Sequence, residues 1–578
     1  MSKLNIDQKT VRDLFSDKRS DFLIPDYQRP YSWGQDECAT LWEDIFQFAI
    51  PNDNAEEFDS NDEYFLGPIV TFKNSNGKLE IIDGQQRLTT LMLLLRAFYA
   101  KFEHMKDENS KKTYEAIGQC IWKTDEFGNP DKDRLKLDSE VASDDDKDEF
   151  LEILRTGTVS ATQKSRYAKA FVYFFERIEN FISQYPSYTA HLATRILNNV
   201  ILLPIEAESQ RTALRIFSTL NDRGLPLADS DIFKSQMYRY FDENQQKDQF
   251  IKRWKELERL VEHTFSDARN APMDELFTRY MYFERARKGI KTTTTEGLRD
   301  FVEADSYALL KRSEALKNLE ELAKFWGRVA DQEGFSDRVL RQLFILNYAP
   351  NNMWANLVSV YFLHNHDENG ALEEEKFFNL LRRIIGFIWA YSVYRPGVNA
   401  LRTPVYPEMI RIVAGEEVTF ASYRFDRQQI EKFLRNYAFT NGRPITKSVL
   451  TWWAFTNADQ EIWPLDTKLE VEHVYARRRA NHENSLKELA SLEELGNKAI
   501  LEKRINIRAS DYKFSDKKKY YTGFTPVNGR HREATKNREL VHFAEGRDDF
   551  TESDIKERTD RMVSAFIGYL EEQELLRN

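Results

Sequence analysis

The chain has 578 residues, 41% hydrophobic and 13% aromatic, with a formal net charge of −11. That length exceeds one hydrophobic core and predicts about three domains, and no segment has the composition of a long disordered tail. The opening Met1-Ser2-Lys3-Leu4-Asn5-Ile6-Asp7 lacks a signal-peptide core, and no run approaches the ~18 apolar residues of a membrane span. Two cysteines, Cys38 and Cys120, build neither a four-cysteine zinc site nor a disulfide framework. A soluble, cytoplasmic protein with no membrane partner is expected.

Residues 1–245 mix strands and helices. In Ile24-Pro25-Asp26-Tyr27-Gln28-Arg29-Pro30-Tyr31-Ser32-Trp33 two prolines block regular helix, and a helix follows to Phe46 with Leu41, Trp42, Ile45 and Phe46 as its apolar stripe. Ile69-Val70-Thr71-Phe72 and Leu79-Glu80-Ile81-Ile82 read as two strands joined by the turn Asn74-Ser75-Asn76-Gly77. The loop Asp83-Gly84-Gln85-Gln86-Arg87-Leu88-Thr89-Thr90 then enters an apolar, helix-length run. A strand-to-helix loop offers free backbone N–H groups that suit phosphate oxygens, and this one carries an acid, two amides, an arginine and two hydroxyls. Thr162 to Tyr185 reads as an amphipathic helix, and Asn199 to Ile205 as a buried strand ended at Pro204.

Residues 246–445 are nearly all helical by pattern, with helices expected over 250–263, 315–330, 340–346, 356–364 and 374–394, and read as a connector and scaffold. Residues 446–578 differ. From Arg477 to Arg538, 16 Lys/Arg stand against 8 Asp/Glu, a local basic surface on an acidic chain, which suits a selective binder of polyanions. Here Leu469-Glu470-Val471-Glu472-His473-Val474 alternates like a half-buried strand, so Glu472 and His473 fall on opposite faces unless a bend follows. Downstream come Leu495-Gly496-Asn497 and then Asn506. An acid-His pair, an Asn on a loop and an Asn entering a helix follow the order of a ββα-metal (HNH-type) nuclease. A neutral imidazole takes a proton from attacking water, a hard divalent ion stabilises charge on the phosphoryl group, and an asparagine orients the histidine.

Taken together, these stretches resemble GmrSD-type, type IV restriction enzymes and related phage-defence nucleases. The resemblance rests on residues 24–33, on Tyr64-Phe65-Leu66-Gly67-Pro68-Ile69-Val70, on residues 82–90, and on Ile216 to Leu227 with Asp231 and Lys234. At the carboxy-terminal end it rests on Glu472-His473, Leu495-Gly496-Asn497, Asn506, Phe514 to Lys518, and the closing helix with Ile555 and Arg558. It implies an α+β, multidomain protein: a ParB-like α/β domain over 1–245, a helical middle over 246–445, and an HNH-type nuclease domain over 446–578. It also implies that the first domain binds and hydrolyses a nucleoside triphosphate, with ATP, GTP, UTP and CTP all open. Asp83, Gly84, Gln85, Gln86 and Arg87 would form its signature, with Thr89 and Thr90 at the phosphates. Gln28 and Arg29 would close that pocket, and Asn221, Arg223 and Gly224 would contribute to it. The last domain would cut modified or foreign DNA with His473 as general base and Asn497 orienting it. Glu472, His473 and Asn506 would lie at a Mg2+ or Mn2+ ion, and Arg477, Arg478, Lys517 and Lys518 would meet DNA. Cleavage of both strands would favour a homodimer. The alternative is a nucleotide-switched DNA-binding protein that cuts weakly. The chain departs from the family pattern at Ala476, where proline is usual, and at Lys498, where an apolar residue usually follows Gly-Asn.

Overall fold

The computed structural model describes residues 5–577 except 7, 27, 142–143, 145, 161, 211, 214–215, 217–227, 267–270, 396–400, 484, 511–512 and 528. The chain divides into two compact units, 1–255 and 256–578. The boundary falls inside the Lys247–Thr264 helix. The expected connector, 246–445, therefore lies mostly in one unit with the segment 446–578.

In the first unit, seven strands form a mixed sheet among the described residues: β1 (Asn5–Ile6), β2 (Lys9–Thr10), β3 (Phe22–Ile24), β4 (Tyr64–Lys73), β5 (Leu79–Asp83), β8 (Leu137–Ser139) and β9 (Val200–Ala207). A separate hairpin joins β6 (Trp122–Thr124) to β7 (Pro130–Leu135). The order is β1-β9-β4-β5-β3-β8, with β2 also on β9. The β4–β5 hairpin is antiparallel, as its alternation and its Asn-Gly turn require. β9 runs parallel to β4 and carries Pro204 within it rather than at its end. Its outer neighbours pair with 201–202 and with 205–206, so Pro204 stands at a break between two short strands, where a missing N–H costs little.

The period-two pattern sorts the sheet's faces. Ile69 and Ile81 turn inward to a core that also holds Leu88, Leu91, Leu95 and Phe98 of the Gln85–Phe102 helix. Val70 and Ile82 turn the other way and pack with Ala207 and Ala213, with Ile216 against them. The beginning of the fourth family-like block thus reaches the back of the Asp83 loop. Asn221, Arg223 and Gly224 lie outside the described residues.

Among the described residues the second unit is helical around one two-stranded antiparallel pair, β10 (Leu469–His473) with β11 (Lys498–Glu502). The connector is integral to its core. Trp389 of the Glu374–Tyr394 helix donates a hydrogen bond to Ser448 Oγ (2.7 Å) and packs edge-on against Trp452, both on the Pro444–Phe455 helix, and also against Phe566 of the Glu552–Glu572 helix. The turn before β11 lies directly on that last helix. A Cβ at Gly496 would stand 2.1 Å from Ile555 O and 2.5 Å from Thr559 N, both backbone atoms that cannot yield without moving the helix. Gly496→Ala is expected to cost about 1–3 kcal/mol or more and to speed hydrogen exchange through the Glu552–Glu572 helix; unchanged protection there would contradict this packing.

Candidate functional site

The polar loop of the first unit begins where β5 ends. Gly84 adopts φ +91°, and a Cβ there would meet Ile69 Cγ1 at 3.1 Å, so both conformation and space call for glycine. Beyond it the Gln85–Phe102 helix starts. Most of the polar side chains around this start are occupied in folding. Gln86 Oε1 accepts from Ser32 N (2.7 Å) and Ser32 Oγ (3.3 Å), and its Nε2 donates to Pro30 O (3.2 Å). Gln28 Nε2 donates to Ile81 O and Ile82 O, each at 3.2 Å, while Gln85 Nε2 reaches Arg29 O at 3.4 Å. Thr90 donates to Gln86 O (2.8 Å) and meets the Tyr31 hydroxyl at 2.7 Å; Thr89 is buried. The two glutamines thus staple the proline-broken segment 28–32 across the helix start.

What remains toward solvent is a smaller set. Arg87 Nη1 donates to Pro68 O at 2.5 Å, and its Nη2 lies 3.5 Å from Asp83 Oδ2, both side chains about one-fifth exposed. Burial pushes the Asp83 carboxyl up, against the pull of Arg87. Arg29 is exposed, and Gln85 Oε1 is buried with no hydrogen-bond partner. Gln86→Leu, which leaves Ser32 N–H and Pro30 O without partners, is expected to cost about 1–3 kcal/mol and to open residues 25–33 to limited proteolysis; resistance equal to wild type would remove the staple.

In the second unit, the register pairs His473 with Lys498 and Glu472 with Ala499. Successive residues of β10 face opposite ways. On one side Glu470 Oε2 accepts from Asn506 Nδ2 (2.9 Å), and Glu472 Oε1 accepts from Lys517 Nζ (2.7 Å) and the Tyr521 hydroxyl (2.6 Å). Burial pushes the Glu472 carboxyl up, and Lys517 with Tyr521 pulls it partly back. On the other side His473 Nε2 meets Lys498 Nζ (2.5 Å), Arg477 Nε (3.2 Å) and Glu493 Oε1 (3.4 Å). Lys498 is further held by Glu493 Oε2 (2.8 Å) and Asn441 Oδ1 (3.1 Å). Burial, then the charges of Lys498 and Arg477, drive the His473 pKa down to about 4; burial drives Lys498 down to about 8.

Asn497 is fully buried and locks the chain just past the histidine. Its Oδ1 accepts from Tyr475 N (2.6 Å), and its Nδ2 donates to Tyr475 O (3.2 Å) and Leu492 O (3.1 Å). Arg558 donates to Gly496 O (2.8 Å) and Lys498 O (2.6 Å) while forking onto Glu539. Burial raises the Glu539 carboxyl, but Arg558 holds it below its ordinary range.

The geometry regroups the expected residues. Glu472 and Asn506 share a face with Glu470; His473 leaves from the other, so the expected trio of Glu472, His473 and Asn506 is not brought together. Lys517 is buried against Glu472 and also donates to His473 O (2.6 Å), whereas Lys518, partly exposed, caps carbonyls of Arg547 (2.8 Å) and Glu545 (3.4 Å). Arg477 and Arg478 are exposed. Ala476, at the usual proline position, is buried. Among the described residues no three His, Cys, Asp or Glu side chains form a group that could hold a metal ion. Mg2+ needs only one or two carboxylates when water and phosphate complete its shell, but the Glu472 carboxylate is buried against Lys517 and Tyr521 and Asn506 pairs with Glu470, so as placed these residues do not present a cation site. Glu493 and Asn441 were not legible as site residues; the one signal was a charged Lys498 where an apolar residue was expected.

Residues 11–238 match the GmrSD restriction endonuclease N-terminal domain, and residues 426–565 match the C-terminal domain of the GmrSD restriction endonucleases. The chain is thus a restriction endonuclease, an enzyme whose substrate is DNA. It belongs to the GmrSD family, with both domains on one polypeptide. No curated protein matches it. No helix among the described residues is long and apolar enough to cross a membrane.

The depressed histidine sets a pH expectation. His473 is neutral above about pH 4, so the acid limb of the cleavage rate is expected near pH 4 rather than near the 6.5 of an ordinary histidine. A limb centred on 6.5 would show that His473 is not the base.

Proposed function

We propose that this protein is a nucleotide-regulated, divalent-metal-dependent endonuclease of the type IV kind, acting in the cytoplasm on modified or foreign (phage) DNA. The observation that carries the nuclease assignment is the placement of His473 at the end of a strand pair whose turn is fixed by Asn497 and Arg558. It lies within the residues that match the C-terminal domain and at the start of the basic segment.

In this reading, of HNH type, His473 takes the proton of the water that attacks phosphorus. Asn497 fixes the backbone beyond the base, and Arg477 and Arg478 meet DNA phosphates. To hold a Mg2+ or Mn2+ ion, Glu472 would have to release Lys517 and Asn506 would have to release Glu470; when bound the ion would supply positive charge to the phosphoryl oxygens. At the ParB-like end a nucleoside triphosphate (ATP, GTP, UTP or CTP) binds and is hydrolysed. Its phosphates meet the first-turn N–H groups of the Gln85–Phe102 helix together with Arg87 and Arg29. Support comes from Asp83 and Arg87, which keep solvent-facing surface after the glutamines are occupied, and from the unpartnered Gln85 Oε1. Two chains would cut both strands.

The test is cleavage of modified phage DNA and unmodified plasmid with Mg2+ or Mn2+, across the four triphosphates. His473→Ala is expected to lower the rate by ~10²–10⁴-fold, the contribution of a positioned base, with triphosphate binding intact. Arg87→Ala is expected to remove triphosphate dependence and to leave metal-driven cutting in place. A His473→Ala protein cutting at the wild-type rate would sink the nuclease assignment. A wild-type chain that binds DNA and nucleotide without cutting would favour a switched DNA-binding protein.

A further inference from the structure

The Lys503–Ala509 helix follows β11 directly, and its two faces differ. Asn506 turns to Glu470 of β10, Ala509 is buried, and Ile505 packs on the neighbouring core. Arg504, Ile507 and Arg508, spaced i, i+3 and i+4, share the outward face. All three are exposed, Ile507 by 64%. Glu502, just before the helix, ties it to a second element: its Oε2 accepts from Thr535 Oγ1 (2.6 Å) and its Oε1 from Lys536 N (2.8 Å). Those two residues close a loop that begins at Gly523, so helix and loop are anchored at one carboxylate.

The loop is held at its base and bare at its tip. Phe524 and Arg532 exchange backbone hydrogen bonds (3.0 and 2.8 Å), Thr525 Oγ1 meets His531 Nδ1 (3.0 Å), and Phe524 packs edge-on against Tyr520. Gly523 has φ +79°, and a Cβ there would stand 2.9 Å from Ala534 N. Beyond this base Val527 is fully exposed, and Arg530, Arg532 and Lys536 are exposed as well. Among the described residues, Arg504, Arg508, Arg530, Arg532 and Lys536 make no ion pair or side-chain hydrogen bond. Glu533 is the one acid in 503–510 and 523–536.

Unpaired cations repel one another in the free chain, so their gathering on a protein of net charge −11 marks the place of a polyanion. Charge alone would suit any polyanion, and the apolar residues narrow the choice. One exposed aliphatic side chain is ordinary. Here the two most exposed large apolar side chains described in the second unit are Ile507 and Val527, and each stands among these cations. With phosphates on the cations, an aliphatic side chain between them reaches past the backbone into a groove, where base edges and the thymine methyl offer apolar contact.

We propose that Ile507 and Val527 enter a groove of duplex DNA while the five unpaired cations hold the phosphates beside it. The proposal rests on the endonuclease reading in taking DNA as the ligand. It adds a contact separate from Arg477 and Arg478, on the side of β10 that Glu470 faces rather than the side of His473.

The experiment measures binding of the full chain to a short duplex and to heparin, a polyanion without grooves, in EDTA and again with Ca2+, the duplex being recovered uncut. Ile507→Ser and Val527→Ser are each expected to raise Kd for the duplex by roughly ten-fold, what burying one aliphatic side chain contributes. Heparin affinity and salt dependence are expected to stay as in wild type. The double variant Arg504→Gln, Arg508→Gln is expected to weaken both ligands and to flatten the slope of log K against log salt by about two. These side chains lie in solvent, so unchanged melting is expected; Val527→Thr, equal in shape, replaces Val527→Ser if that variant melts lower. Wild-type duplex affinity in the apolar-site variants, or an equal loss on heparin, overturns the proposal. So does a dimer that those variants dissolve with duplex binding unchanged, which would make this face a contact between two copies of the chain. A wild-type chain that binds heparin but no duplex overturns the endonuclease reading itself.

Discussion

A strand sends consecutive side chains to opposite faces, and in the β10–β11 pair that constraint separates the two chemical halves of the carboxy-terminal site. Glu472 goes to the side of Lys517, Tyr521 and, through its neighbour Glu470, Asn506. His473 goes to the side of Lys498, Glu493 and Arg477. A shift of register by one residue would exchange every one of these partners. The structure therefore invests heavily in the turn that sets the register. Asn497 uses both ends of its amide on the chain across from it, Gly496 lets the turn sit on the Glu552–Glu572 helix, and Arg558 ties carbonyls on both sides of Asn497. All are buried, so their hydrogen bonds form away from competing water and would be costly to leave unmade.

The amino-terminal loop applies the same physics in a different way. A segment with prolines at 25 and 30 cannot satisfy its backbone through helix, and the two glutamines at the helix start supply the missing partners at Ser32, Pro30 and Arg29. Amides suit this task because each carries donors and an acceptor, so one side chain meets both N–H and C=O. Arginine and aspartate do not, and it is Arg87 and Asp83 that keep solvent-facing surface. The motif thus combines two kinds of residue that the sequence prints side by side: glutamines that build the junction and charged groups that the junction presents.

Much of this was legible where one physical signal dominates. The β4–β5 hairpin follows from alternation and an Asn-Gly turn, and the Glu374–Tyr394 helix follows from its apolar spacing. The Pro272–Arg287 helix was missed because it is buried all round, with Arg279, Glu284 and Arg285 enclosed among its apolar residues, so no polar face marks the period. That Glu472 and His473 part company was readable from the strand itself. That Lys498 touches His473 was not, because a contact across 25 residues depends on a register set by Gly496, Asn497 and Arg558, and none of these announces which residue will stand opposite the histidine.

An apolar residue at 498 would leave Glu493 and the ring nitrogen with Arg477 as the cation between them. The lysine instead encloses an ammonium beside the imidazole, one that needs Glu493 to balance it. Burial first, and then the charges of Lys498 and Arg477, lower the proton affinity of the imidazole. What the histidine loses in basicity it gains in a preference for the neutral form, the one able to take a proton. An imidazole so placed takes its properties from its enclosure and from the three charged side chains against it.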